Sequence, residues 1–125
     1  EALKRLTFFG VYRAGSLALL DGIEALTQLR QLEVNSCRRI ERLEPLSGLR
    51  QLRELQLCND GRIASLAPLL GLKHLSVFLF YESTDVADGD LSVLKKLPEL
   101  EHVVFMDRRH YSHDADDFPA RKVCT

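Results

Sequence analysis

The chain has 125 residues, enough for one domain, and its 17 basic and 18 acidic residues leave a formal net charge of −1. This balance argues against electrostatic binding to a polyanion, so we expect no nucleic-acid partner. No apolar stretch approaches the ~20 residues that a membrane-spanning helix needs, so we expect no membrane partner either.

Apolar residues recur on one grid along most of the chain. At positions −12, −9, −6, −3, 0 and +2 from each reference residue, every side chain is Leu, Ile, Val or Phe. The reference residues are Leu32, Leu55, Leu75 and Val103, and a truncated first copy adds Leu3, Leu6 and Phe8. Counted from Leu6, the successive steps are 26, 23, 20 and 28 residues. The phrase L-x-x-L-x-L is therefore repeated five times.

These copies resemble the leucine-rich repeat family over residues 3–106. The phrases E-P-L-S-G-L and A-P-L-L-G-L are similar to those of short intracellular bacterial members. The resemblance implies an α/β solenoid of about five repeats, with a parallel β-sheet on the concave face and 3₁₀ or short helical turns on the convex face. It also implies a sensing or partner-binding part of a larger protein, as in immune-type nucleotide-switch proteins.

The first copy starts in the middle of a repeat. A terminal repeat needs a polar outer surface to cover its hydrophobic end, and no such segment precedes Leu3. We therefore expect the chain to be a piece of a longer protein, or to pair through this end.

The hydrophobic period changes within each repeat. Leu32 and Val34 alternate with polar neighbours, which predicts a short strand. The run before each strand has a strict period of three, which favours 3₁₀ turns because side chains at i and i+3 eclipse there. Pro45 and Pro68 lie early in these runs, where a missing N–H costs little.

The outward strand positions −1, +1 and +3 are predicted to form the concave surface. The candidate partner-binding residues there, with two from the adjoining loop, are Glu33, Asn35, Glu54, Gln56, His74, Ser76, Phe78, Phe80, Tyr81, His102, Val104 and Met106. The C-terminal end is apolar, which favours a contact surface. Alternatively, Tyr111 and Phe118 of the tail fold back over this apolar end.

The 28-residue step predicts an inserted loop at residues 78–90, and insertions in repeat proteins often lie at the binding face. Its acidic residues lack the spacing of a calcium loop, and Asp90 is expected to cap the turn that begins at Leu91. The −2 column is mostly basic and either steers an acidic partner or is ordinary solvated charge, which we favour. Its residues are Lys4, Arg30, Arg53, Lys73 and Glu101.

The cysteines Cys37, Cys58 and Cys124 follow no disulfide spacing, which favours a reducing, cytoplasmic compartment. Cys37, at +5, should point inward, and Cys58, at +3, should point outward, so we expect no bridge between them. Residues 107–125 form a tail that contains His and Asp without paired cysteines. We expect it to cap the last repeat and to bind no metal.

No phosphate-binding loop, nucleophile motif or paired carboxylates in a cleft pattern occurs in the sequence. The sequence therefore predicts a non-catalytic module without cofactors that binds a protein partner through the concave face and the 78–90 loop. The alternative is a structural or autoregulatory segment that packs against other domains of its own chain.

Overall fold

The computed structural model describes residues 7–12, 23–37, 40–81, 84–114 and 117–118. Seven strands lie in these ranges: β1 (Phe8–Tyr12), β2 (Gln31–Asn35), β3 (Glu54–Cys58), β4 (Arg62–Ile63), β5 (Val77–Tyr81), β6 (Asp85–Val86) and β7 (His102–Phe105). Five of them form a parallel sheet in the order β1-β2-β3-β5-β7, and β4 pairs with β6 in a separate parallel ribbon. This parallel sheet with short helical segments fits a leucine-rich-repeat-like α/β fold.

Alternation of side chains places the core on one side of the five-stranded sheet. In β2 and β3 the second and fourth residues are buried and their neighbours are partly exposed. Leu32 and Leu55 are register partners, as are Val34 and Leu57, so each strand adds one apolar pair to a continuous interior. The predicted strands at these two repeats are therefore confirmed.

The predicted register of the fourth repeat is wrong by three residues. Leu55 pairs with Phe78, not with Leu75, and Leu57 pairs with Phe80. The first repeat is displaced in the same way, because Phe9 rather than Leu6 pairs with Leu32. The reference residues are thus Phe9, Leu32, Leu55, Phe78 and Val103, in steps of 23, 23, 23 and 25 residues.

The register also removes two expected features. The 78–90 segment is not an inserted loop, since its first residues form β5 and Asp85–Val86 form β6. The residues that precede the strands are joined by backbone hydrogen bonds in the order Thr7, Arg30, Arg53, Ser76 and Glu101. Lys73 is outside this column and Lys4 is outside the described residues, so the mostly basic column does not form.

Short helical segments connect the strands on the other side of the core, as predicted. Ile23–Ala25, Glu44–Leu46 and Ala67–Gly71 are 3₁₀ helices, and Ser92–Lys95 is a one-turn α-helix, here α1. Pro45 and Pro68 lie in the first turns of their helices, where proline costs no hydrogen bond. Oδ1 of Asp90 accepts the backbone N–H of Ser92 at 2.9 Å, which supports the predicted capping role. None of the helices in the described part of the chain has the length and apolar character that a membrane crossing requires.

The described part of the tail packs against the C-terminal end of the core rather than over the outer face of the sheet. The rings of Tyr111 and Phe118 are buried, with centroids 5.7 and 5.8 Å from the ring of Phe105. The hydroxyl oxygen of Tyr111 accepts the backbone N–H of Val86 at 3.1 Å. The alternative that these two aromatic residues fold back over the apolar end is therefore contradicted at Val104 and Met106, which remain exposed.

Gly89 allows the tail to approach this closely. Its φ is +68°, and a Cβ at this position would lie 2.0 Å from the carbonyl oxygen of His110. The backbone N–H of Ser112 donates to the carbonyl of Gly89 at 2.7 Å, and the Ser112 hydroxyl accepts the N–H of Leu91 at 2.9 Å. Only glycine meets both the backbone and the space requirements here.

Candidate functional site: the outer face of the sheet

The outer face of the five-stranded sheet is formed by the side chains that alternate with the core residues. In register across the strands it has three rows. The first is Phe8, Gln31, Glu54, Val77 and His102; the second is Gly10, Glu33, Gln56, Leu79 and Val104; the third is Tyr12, Asn35, Cys58, Tyr81 and Met106, which directly follows β7. Neighbouring strands are ~4.8 Å apart, so the described face spans about 19 Å across its five strands.

Five of these residues form an apolar strip on the last two strands: Val77, Leu79, Tyr81, Val104 and Met106. Val104 is 39% exposed and Met106 is 57% exposed, whereas Val77, Leu79 and Tyr81 are partly buried. Apolar side chains at outward positions of adjacent strands mark a contact surface more often than scattered ones do.

The structure contradicts the exposure predicted for Phe78 and Phe80. Both are core residues, 0% and 1% exposed, and their rings stack with centroids 4.8 Å apart. Phe80 also stacks on Phe105 at 4.9 Å with an interplanar angle of 9°. The outward positions of β5 belong to Val77 and Leu79, which the sequence analysis did not select, and to Tyr81, which it did.

His74 and Ser76 also lie elsewhere than predicted. They precede β5 and border a cleft of about 420 Å³ at the edge of the sheet, together with Arg53, Pro98, Glu99, Leu100 and Glu101. Nδ1 of His74 is 2.8 Å from Oε2 of Glu99, and the Ser76 hydroxyl donates to the carbonyl of Arg53 at 3.1 Å. These contacts hold the edge together, and neither residue belongs to the outer face.

The polar candidates Glu33, Asn35, Glu54 and Gln56 do occupy outward positions of β2 and β3, as predicted, and so does His102 on β7. Glu33 and Glu54 are an acidic pair on neighbouring strands. The Tyr12 hydroxyl donates to Oε2 of Glu33 at 2.6 Å, and this bond raises the pKa of Tyr12 above its ordinary value. The phenol therefore keeps its proton and orients the Glu33 carboxylate.

One buried acid was missed by the sequence analysis. Asp60 is at +5 from Leu55, the position that Cys37 occupies relative to Leu32, and both are 0% exposed. Oδ1 of Asp60 accepts the backbone N–H of Cys37 at 2.9 Å, and the Asp60 N–H donates to the Thr84 hydroxyl at 2.9 Å. The shared +5 position was the signal that could have identified it.

The outer face carries polar groups of several kinds beside its apolar side chains. Its described polar groups are two carboxylates, three carboxamides, a thiol, two phenols and an imidazole, distributed over the three rows. Across the described ranges, no group of three or more His, Cys, Asp or Glu side chains could hold a metal ion.

No protein-family model and no curated protein matches the chain. Among solved structures, it is similar to an internalin (inlF) from Listeria monocytogenes str. 4b F2365, with 19% sequence identity and a TM-score of 0.39. The similarity covers 81% of this chain but 41% of that chain, so the present chain spans less than half of the internalin's length.

Proposed function

We propose that this chain is a non-catalytic protein-binding module of a repeat solenoid, and that it binds a protein partner through the outer, concave face of its parallel sheet. The observation that supports this most directly is the apolar strip, in which Val104 and Met106 stay exposed although the tail packs nearby. Tyr111 and Phe118 cover Phe105 at the end of the core and leave Val104 and Met106 accessible.

The energetics of contact favour this strip over the polar residues around it. Binding energy usually concentrates in a few apolar or aromatic anchors surrounded by polar contacts that contribute little. Leu79 and Val104 are register partners, so their side chains form one patch with Val77 in the row before them and Tyr81 and Met106 in the row after them. The predicted contact role of Tyr81, Val104 and Met106 is kept, and that of Phe78 and Phe80 is not.

The tail has a separate role in this proposal. The described part of the tail, residues 107–114 and 117–118, caps the last repeat, because Tyr111 and Phe118 supply the apolar cover that its open end needs. Asp85 of β6 adds a polar attachment: its Oδ1 is 2.9 Å from Nε2 of His110 and 3.6 Å from Nε of Arg108. The outer face then has no role in capping the last repeat.

Selection from a library of random peptides displayed on phage tests the binding role. The probes are the selected peptides, and their affinity is measured for the wild-type protein and for the double variant Val104→Ser/Met106→Ser. Leu70→Ser is the matched control, because Leu70 is 48% exposed but lies in a 3₁₀ helix outside the sheet. We expect the double variant to lose at least about tenfold in affinity and the control to bind as wild type.

Equal binding by all three proteins would rule out the outer face as the contact site. The alternative role, contact with another domain of the same chain, uses the same face and differs in the partner. In that case a longer natural chain that contains the additional domain should bind the selected peptides more weakly than the 125-residue chain does.

A further inference from the structure

The acidic pair and the apolar strip adjoin each other on the outer face, and Gln56 lies at their boundary. Gln56 is the register partner of Glu33 on one side and of Leu79 on the other. Glu54 is two residues before Gln56 on the same face of β3. Strand spacing of ~4.8 Å and a rise of ~3.3 Å per residue place the Cα atoms of both glutamates within about 7 Å of the Cα atom of Gln56.

A cationic side chain above Gln56 would therefore lie next to Glu54 on the same strand and next to Glu33 on the neighbouring strand. Both glutamates are partly buried, which lowers the solvent screening of their charge. In the described part of the chain neither of them forms an ion pair, and Glu33 is oriented by the Tyr12 hydroxyl. The cationic Arg53 borders the cleft at the edge of the sheet, beside Glu99 and Glu101.

We infer that the partner is a protein segment that presents a lysine or arginine and an apolar side chain on the same side, the cation above Gln56 and the apolar group on Leu79 and Val104. This inference rests on the proposed function and names the chemistry of its partner. The two subsites are about one to two strands apart, or ~5–10 Å. Residues i and i+3 or i+4 of a helix are ~5–6 Å apart, and residues i and i+2 of an extended chain are ~7 Å apart, so either conformation fits.

Charge complementarity decides between this partner and a purely apolar one. An apolar partner that covered the whole face would bury the carboxylates of Glu33 and Glu54 without a counter-charge, which is costly. An acidic partner would meet like charges at the same place. A partner with a basic group beside an apolar group matches the order in which the acidic pair and the apolar strip follow each other across the sheet.

The peptide selection described above tests this inference through the composition of the selected peptides. We expect enrichment of Lys or Arg two to four positions from an apolar residue on the wild-type protein. The same selection on Glu33→Gln/Glu54→Gln, which keeps shape and removes both charges, should lose the basic enrichment and keep the apolar one. For one selected peptide, this variant should weaken binding by about tenfold.

Two further measurements separate charge from shape. Raising the ionic strength from about 0.05 M to about 0.5 M should weaken the peptide's binding to wild type more than to Glu33→Gln/Glu54→Gln, because salt screens the charges. Replacing the basic residue of the peptide by norleucine should weaken binding to wild type but not to that variant.

Different results would contradict the inference about the partner's charge and the proposed binding function. Peptides that depend on Val104 and Met106 but show no basic enrichment, and bind the charge-neutral variant equally well, would overturn the inference and leave the proposed function intact. A selection that yields no peptide, or only peptides that are indifferent to Val104→Ser/Met106→Ser, would overturn both. Circular dichroism of each variant confirms that its sheet is retained.

Discussion

The carboxylate of Asp60 lies against the backbone of Cys37, one repeat away, with Oδ1 2.9 Å from the amide nitrogen. This bond joins the turn after β2 to the turn after β3, and Thr84 continues the connection toward the turn after β5. Burial raises the pKa of Asp60 to about 7, against the lowering effect of the Cys37 hydrogen bond. Within the described residues, Oδ2 of this carboxyl group has no hydrogen-bond partner.

The stability of the protein should therefore depend on pH through Asp60. The folded protein holds this proton more tightly than the unfolded chain, in which the pKa is near 3.8. Because the folded state binds more protons between these values, the free energy of unfolding should fall as the pH rises from about 4 to about 7. About three pKa units at ~1.4 kcal/mol each give an upper bound of about 4 kcal/mol.

Asp60→Asn isolates this contribution, since asparagine keeps the oxygen that accepts the Cys37 N–H. Urea unfolding followed by circular dichroism suits a chain without tryptophan. The free energy of unfolding of Asp60→Asn should not fall across this pH range. That of the control variant Glu41→Gln, at an exposed residue, should fall as in the wild-type protein. A decline of the same size in Asp60→Asn would show that Asp60 is not its source.

The two described cysteines should differ in reactivity. Cys37 is fully buried, whereas Cys58 is a partly exposed residue of the outer face, and neither is in a disulfide. Alkylation of the native protein followed by peptide mass mapping should modify Cys58 well before Cys37, because access controls thiol chemistry. Faster labelling of Cys37 would contradict the strand register around β2 and β3.

A matched pair in β5 tests the register of the fourth repeat. Phe78→Ala removes a fully buried ring and should cost about 3–5 kcal/mol in the free energy of unfolding. Val77→Ala, on the outer face next to it, should cost less than about 1 kcal/mol. Urea unfolding of both variants gives the comparison, and the reverse order would support pairing of Leu55 with Leu75.

The tail should contribute to stability through one hydroxyl group. Tyr111→Phe keeps the packing on Phe105 but leaves the Val86 N–H without its acceptor, at a cost of about 1–2 kcal/mol. Tyr12→Phe is the control, because its hydroxyl is on the exposed face and should change stability by less than about 0.5 kcal/mol. Equal urea unfolding midpoints for Tyr111→Phe and the wild-type protein would mean that the tail is not attached through the Tyr111 hydroxyl.

The local elements of this fold were predictable because they depend on neighbouring residues. Alternation around Leu32 and Leu55 identified two strands and the outward positions of Glu33, Asn35, Glu54 and Gln56. The period of three predicted the 3₁₀ segments, and the +5 position predicted burial of Cys37. His102, Val104 and Met106 were also placed correctly, since Val103 is the true reference residue of its repeat.

The sequence by itself determined the kind of element and the presence of an apolar end on the outer face, because both follow from side-chain order within a few residues. It did not determine which member of the series Leu72, Leu75 and Phe78 enters the sheet, since a period of three looks the same after a shift of three. Tertiary packing decided this point. Phe78 lies beside Leu55, 23 positions away, and Phe80 stacks on Phe105, 25 positions away. Tyr111 and Phe118 of the tail close the end of the core against Phe105. On β5 the apolar strip is consequently built from Val77, Leu79 and Tyr81 rather than from the two phenylalanines.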